Sequence, residues 1–308
     1  MIQKNLVKSY IKDIDWRVSG LFAHDRFIWE LLNICEAYKI TVPIKSVYGS
    51  IPCLFQGGNI PPRTADMNNV RGILQKYDDL GISCQLTFSN MMIDDLNDET
   101  SNELLKILNS LSNTRHGVIV AQDSLLTHIR DNYKNLYIVS SIVKPTYEVG
   151  LGNDTVGYYN DLSKRYDYVE VNPFKVNEID FLANHKDREK VIFSVNNRCL
   201  PNCDKSWEHA DLIMNINTKS CKKEDFQEEL KSLDTLLGNC IKLHQTYPLA
   251  GNQMSQSDIE MLLRYGYKNF SLEGRCHDAT CFIRDMGDYI FESYLFNRIA
   301  CAIMGGNV

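Results

Sequence analysis

The stretch GVIVAQDSLLTHIRDNYKNLYIVSS, residues 117–141, decides the fold. GVIVA (117–121) is a short apolar run rich in β-branched residues, and LLTHIRDNY (125–133) follows it with helical spacing. LYIVSS (136–141) is a second apolar run, so the segment reads strand, helix, strand. Two such strands joined by a helix-length crossover predict parallel pairing.

The pattern extends in both directions. Upstream stand WRVSGLFA (16–23), IKSVYG (44–49) and CQLTFS (84–89). Between them run helical patterns that keep Phe27, Leu31, Ile34 and Cys35 on one face, then Val70, Ile73, Leu74 and Tyr77, then Leu104, Leu105, Leu108 and Leu111. Downstream come YDYVEVN (166–172), a helix starting near Val176, KVIFSVN (190–196), a helix over 255–265 and the last strand KNFSLEG (268–274). Eight strand-like runs separated by helices in a chain of this length predict a (β/α)₈ barrel of TIM type, an α/β single domain over 1–308. A doubly wound open sheet is the alternative, but no Gly-x-Gly-x-x-Gly follows the first strand. The segment 204–250 is too long for one connection and reads as an insertion, with a helix over 223–237 and an irregular return.

Composition narrows the function classes. The 308 residues are 44% hydrophobic and 23% charged with a net charge of −6, which excludes a disordered tail and argues against a broad nucleic-acid or anionic-membrane surface. No uninterrupted apolar stretch reaches the length of a membrane span, and the first residues lack a signal-peptide core, so a soluble cytoplasmic protein is expected. Ten cysteines are many for a reducing compartment, where thiols are buried, metal-bound or reactive. Cys35, Cys84 and Cys301 lie on apolar faces and read as core.

In a barrel of this kind the chemistry sits where the strands end. That rule collects His24, Cys53, Asn90, Asp123, Ser141, Asn172, Asn196, Asn197, Arg198, Cys199, Glu273 and Arg275 at one mouth. From this set Asn90, Asn172, Asn197 and Arg198 are candidate substrate-binding residues. VNNRCLPNCDKSWEH (195–209) is the sharpest local feature. Its Cys199 and Cys203, three residues apart around Pro201, could occupy two positions on one metal or cluster, or be ordinary loop residues. A radical-SAM pattern would need cysteine where Ser206 stands. Cys221 and Cys276 are the further thiols chosen to complete a site. His209 is a candidate metal ligand or proton shuttle, with a surface or capping histidine as the plainer reading. In GYKNFSLEGRCHDATC (266–281), Glu273 and Arg275 lie two apart at a strand end and so share a face. They could orient substrate, the Arg fork gripping a carboxylate or phosphate, or simply pair with each other. Neither a Gly-x-Ser-x-Gly elbow nor a P-loop is present, and Gln56-Gly57-Gly58-Asn59 reads as a turn.

MSQSDIEMLLRYGYKNFSLEGR (254–275) resembles the motif of the collagenase-like (PrtC-type) peptidase family, with Leu272, Glu273, Gly274 and Arg275 in the motif positions. SVYGSIPCLFQGGNIPPR, GISCQLTFSN, HGVIVAQDSLL and KVIFSVNNRCLPNC look similar to other family segments, so the resemblance spans roughly 44–285. It implies a barrel fold. It also implies either peptide hydrolysis or, as in relatives that act as oxygen-independent hydroxylation factors for RNA bases or ubiquinone, a redox modification at a cysteine-bound iron–sulfur cluster. Two departures mark a divergent branch: Asn196, Asn197 and Arg198 replace a glycine- and serine-containing stretch, and Glu260 stands where many members carry a cysteine. The leading expectation is a cluster-dependent hydroxylase-like enzyme. A peptidase of the same family is the alternative, as is a non-catalytic subunit that binds a cluster or a protein partner. The substrate could be a small molecule, a peptide or RNA.

Overall fold

The computed structural model describes residues 13–37, 39, 41, 44–58, 66–150, 153–197, 203–246, 252–274 and 279–292. Strands β1 (Asp15–Ser19), β2 (Ile44–Gly49), β3 (Ser83–Phe88), β4 (Gly117–Val120), β5 (Tyr137–Ser140), β6 (Tyr168–Glu170), β7 (Val191–Ser194) and β10 (Asn269–Leu272) form a closed parallel barrel. Its order is β1-β10-β7-β6-β5-β4-β3-β2, so the last strand closes on the first. The eight strands are the eight expected from the sequence. The two-residue strands β8 (Asn196–Asn197) and β9 (Asn252–Gln253) pair antiparallel beyond the end of β7.

Helices α1 (Asp25–Ala37), α2 (Met67–Asp79), α3 (Glu99–Ser110), α4 (Asp123–Asn132), α5 (Val143–Glu148), α6 (Val156–Arg165), α7 (Ile179–Asn184), α8 (Ser206–Cys221), α9 (Gln227–Thr246), α10 (Gln256–Arg264) and α11 (Ala279–Tyr289) complete the regular structure. Local chemistry sets their starts. Asp66 accepts from the Asn68 amide, Asp98 from the Ser101 amide, and Ser255 and Asp258 form a reciprocal capping box. Strand β1 is shorter than the expected 16–23 because Gly20, at φ +98°, turns the chain out of the strand conformation. The helix expected near Val176 is a 3-10 turn, Pro173–Asn177, followed by α7.

Alternate strand residues face opposite ways, which divides the interior into two layers. The outward set packs under the helices in one large cluster: Trp16 and Val18 from β1, Leu86 from β3, Phe193 from β7 and Phe270 from β10 meet Leu31, Leu74, Leu105 and Ile129. Cys35 and Cys84 belong to it, as expected; Cys301 lies outside the described residues. The inward set is different. Barrels of this type usually fill the lumen with branched apolar residues, but here it holds Arg17, Ser46, Ser83, Gln85, Ser194, Asn269 and Ser271, all buried. An apolar layer of Ile119, Tyr137, Val139 and Ile192, with Tyr48 and Tyr168 against it, crosses the lumen. Gly117 makes this layer possible, because a Cβ there would collide with the Tyr137 ring. The ring passes over β4 so that its hydroxyl meets Ser83 Oγ at 2.7 Å and accepts from Gln85 Nε2 at 2.7 Å.

The insertion departs from the expectation. It contains two helices, α8 and α9, packed on each other. Segment 206–222 escaped a helical reading because several of its polar side chains serve as contacts rather than as a solvent face. Asn217 Nδ2 donates to Gly58 O at 2.8 Å, and Thr218 Oγ1 accepts from Asn90 Nδ2 at 3.0 Å. The apolar stripe is correspondingly thin, with Met214 and Ile216 as its buried apolar members.

Candidate functional site

The C-terminal mouth is built around Glu273, the residue after β10. Its Oε1 accepts from Ser194 Oγ at 2.8 Å and from Asn197 Nδ2 at 3.0 Å, so two strands fix the carboxylate. Asn196 fixes the backbone of the same residue. Its Oδ1 accepts from the Glu273 amide at 2.7 Å, and its Nδ2 donates to the Glu273 carbonyl at 2.9 Å and to Asp285 Oδ2, on α11, at 2.8 Å. The amide thus imitates a strand partner where the barrel ladder has ended. Tyr48 adds a bond from β2, its hydroxyl donating to Leu272 O at 2.8 Å. Gly274 has no room for a side chain, since Ser19 Cβ lies 3.1 Å from where a Cβ would sit. A half-buried, doubly hydrogen-bonded carboxylate oxygen is suited to proton transfer or to holding a substrate donor.

Helix α8 spans this mouth. Near its start Trp207 meets the ring of Tyr147, which extends from α5, at 6.0 Å between centroids. In its middle Met214 Sδ accepts from the Met91 amide at 3.2 Å. Just past its end Lys222 pairs with Asp94 at 2.6 Å. These anchors come from the loops after β5 and β3, and the Gly58 contact from the loop after β2. The loops are themselves locked together: Phe55 N donates to Ser101 Oγ, Asn90 N to Phe55 O and Asn90 Nδ2 to Leu54 O.

The expected site residues therefore separate. Glu273 and Asn197 are in direct contact. Asn90 sits at the mouth, but its amide is occupied by Leu54, Thr218 and Met92, and it ties the β3 loop to α8. Asn172 caps the 3-10 turn, its Oδ1 accepting from Phe174 N at 3.1 Å. His209 lies half-buried in the first turn of α8. Asp123 belongs to a structural clamp around the fully buried Lys144, whose amine donates to Ala121 O, Asp123 Oδ1 and Glu148 Oε1 at 2.9, 2.7 and 2.5 Å. Burial works to raise the Asp123 carboxyl, but Lys144 and then Arg165 overcome it and hold the group below the usual range. Arg198, Cys199, Arg275 and Cys276 lie outside the described residues.

Of the four thiols expected to hold an iron–sulfur cluster, the structure describes Cys203 and Cys221, and these two cannot share one cluster. Cys203 precedes α8 and Cys221 ends it. The 16 residues of that helix span about 24 Å at a rise of about 1.5 Å per residue, far beyond the reach of one cluster. Cys221 instead lies within electrostatic range of Cys53, and burial pushes these thiols up to about 11 and about 12 respectively. Among the described residues no three His, Cys, Asp or Glu side chains are grouped to hold a metal.

Sequence reasoning overlooked Ser194, Ser19, Tyr48 and Asp285. The signal for the first three was the parity of the strands: Asp-x-Arg-x-Ser in β1 points Ser19 inward, as Ser46-x-Tyr48 in β2 and Ile192-x-Ser194 in β7 do for Tyr48 and Ser194. Asp285 carried no signal, since it reaches the site from a helix near the far end of the chain.

No protein-family model matches the chain, and no curated protein does. Among solved structures, that of the U32 peptidase Mk0906 superposes with a TM-score of 0.53 at 14% identity, over 84% of this chain and 92% of that one. The likeness is one of fold, and it is the barrel implied by the resemblance in the sequence. Among the described residues no helix is long and apolar enough to cross a membrane.

Proposed function

We propose that the chain is a divergent enzyme of the collagenase-like peptidase type, acting on an amide-bonded, peptide-like substrate at the C-terminal mouth of the barrel. The observation that carries the reading is the Glu273 carboxylate, held at the strand ends by Ser194 and Asn197 while Asn196 clamps its backbone. The fold shared with a U32 peptidase supports it. In this reaction Glu273 takes a proton from water as the water oxygen adds to the amide carbonyl carbon. The same proton then passes to the leaving nitrogen as the C–N bond breaks. Arg275, next in sequence after Gly274, is the proposed partner for a substrate carboxylate, on its motif position alone. Helix α8 excludes bulk water from the mouth and limits what can enter it.

The cluster-dependent hydroxylation reading is less supported, because Cys203 and Cys221 stand at opposite ends of α8 and cannot both bind one cluster, while Cys199 and Cys276 lie outside the described residues. No step is drawn through a cluster.

The test is cleavage of denatured collagen and of a pooled peptide library, read by mass spectrometry as new chain termini. The wild-type chain should generate them, and Glu273→Gln, which keeps the shape and the Oε1 acceptor, should lower the rate by roughly 100-fold or more. Absence of cleavage by the wild type, or equal rates in the variant, would overturn the proposal.

A further inference from the structure

A second polar site lies at the other end of the barrel, where the strands begin. A cavity of about 310 Å³ opens there, and Arg17 lines it. Arg17 is 5% exposed, and among the described residues it makes no side-chain hydrogen bond and no ion pair; its Nη1 is buried without an acceptor. It stacks on Tyr168, whose ring centroid lies 4.1 Å from the guanidinium carbon. Strands β1 and β6 are not neighbours, so this contact crosses the lumen. A cation–π contact offsets only part of the cost of burying a charge with no counter-ion.

The surroundings strengthen the field. Lys45 and Arg115 also line the cavity, against one carboxylate, Asp15, which Lys45 approaches at 3.7 Å. Arg115 is shared with Asp167 at 3.9 Å. Gln85 supplies a complementary feature: its Nε2 is spent on Ser46 and Tyr137, but its Oε1 is buried with no donor. An unpaired guanidinium fork beside an unpaired acceptor matches an oxyanion that also carries a hydroxyl.

We propose that this N-terminal mouth is a binding site for a small oxyanion, a phosphate or carboxylate group, seated on Arg17 with Lys45 at its rim. The site is separate from the Glu273 mouth and stands or falls independently of the peptidase reading. Barrels of this type conduct their chemistry at the opposite end, so the site is one of binding, not of reaction.

The test is thermal unfolding and titration calorimetry of the full chain with inorganic phosphate and with glycolate, against sodium chloride at equal ionic strength. A saturable rise in Tm with either anion, absent in chloride, is expected, and which anion binds tighter separates the phosphate and carboxylate classes. Arg17→Met should weaken binding at least roughly tenfold, as expected for loss of a charge-assisted bidentate pair. Lys45→Ala, whose side chain is 66% exposed, keeps the test decisive if Arg17→Met does not fold. Weaker binding in Lys45→Ala supports the site, and unchanged affinity in it overturns it. A response to neither anion also overturns it, leaving Arg17 solvated by interior water; so does a response surviving in Arg17→Met.

Discussion

Gly57→Ala tests how the mouth is held together. A Cβ at this position would lie 2.5 Å from Asn90 N and 2.6 Å from Ser89 O, both backbone atoms with no side chain to swing aside. Gly57 is not among the glycines with positive φ, so alanine meets no conformational penalty and the contact alone decides the cost. The loop after β2 and the one after β3 must separate by about 1 Å to restore ordinary van der Waals distances. That movement stretches Asn90 N to Phe55 O, already 3.2 Å, and Asn90 Nδ2 to Leu54 O, now 2.7 Å. Overpacking costs about 1–3 kcal/mol and each weakened hydrogen bond about 1 kcal/mol. Replacing glycine returns about 0.4–1 kcal/mol through the unfolded chain. The expected net loss is about 2–4.5 kcal/mol in urea denaturation. Hydrogen exchange should rise in α8, because Gly58 and Asn90 are two of its seats. Gly72→Ala, an exposed position in α2 with nothing within 4 Å, is the matched control and should stabilise by about 0.5–1 kcal/mol. A Gly57→Ala stability equal to wild type, or a loss with unchanged exchange in α8, would refute the reasoning.

Acid should unfold the protein from a higher pH than its carboxylates alone would require. Burial first of all holds His116, His128 and His185 below the ordinary 6.5, so the unfolded chain binds protons that the native state refuses, and stability falls as pH drops below about 6.5. Asp78 adds a later loss: burial opposes its ionisation, but bonds from Thr114, His116 and Asn113 win and keep it low, a gain that disappears as pH falls below its ordinary 3.8. Denaturation between pH 7 and 5 should show this slope, shallower in His116→Gln, and a flat profile would sink the argument. Cys221→Ala in anaerobically prepared protein should leave any iron bound through Cys203 unchanged, since α8, about 24 Å long, lies between them; loss of iron on that substitution would show that Cys221 is itself a ligand.

The barrel was legible because its strands are short apolar runs and its crossovers keep helical stripes, so local pattern and tertiary environment agree. Glu273 was legible too, from its place at a strand end and in a recognisable motif. What the chain concealed was pairing at a distance. Asn90 and Asn172 looked like pocket residues by position, yet their amides serve as a loop tie and a cap, a distinction that depends on backbone groups with no sequence mark. Cys203 and Cys221 looked like possible partners because Cys221 lies in the insertion that begins just after Cys203, but a helix between them converts modest sequence separation into length. Helix α8 itself was invisible because its asparagine and threonine side chains grip loops instead of facing water.

The apolar layer of Ile119, Tyr137, Val139 and Ile192 gives the barrel a floor in the middle of its lumen. Two cups then stand back to back, one holding the Glu273 carboxylate and the other the Arg17 guanidinium. Opposite charges that would otherwise draw each other along a wet channel are separated by this layer, and the hydroxyl of its Tyr137 is bonded to Ser83 and Gln85 on the Arg17 side. Substitutions confined to one cup should leave the other's behaviour untouched, whereas thinning the floor, at Val139 or Ile192, would disturb both together.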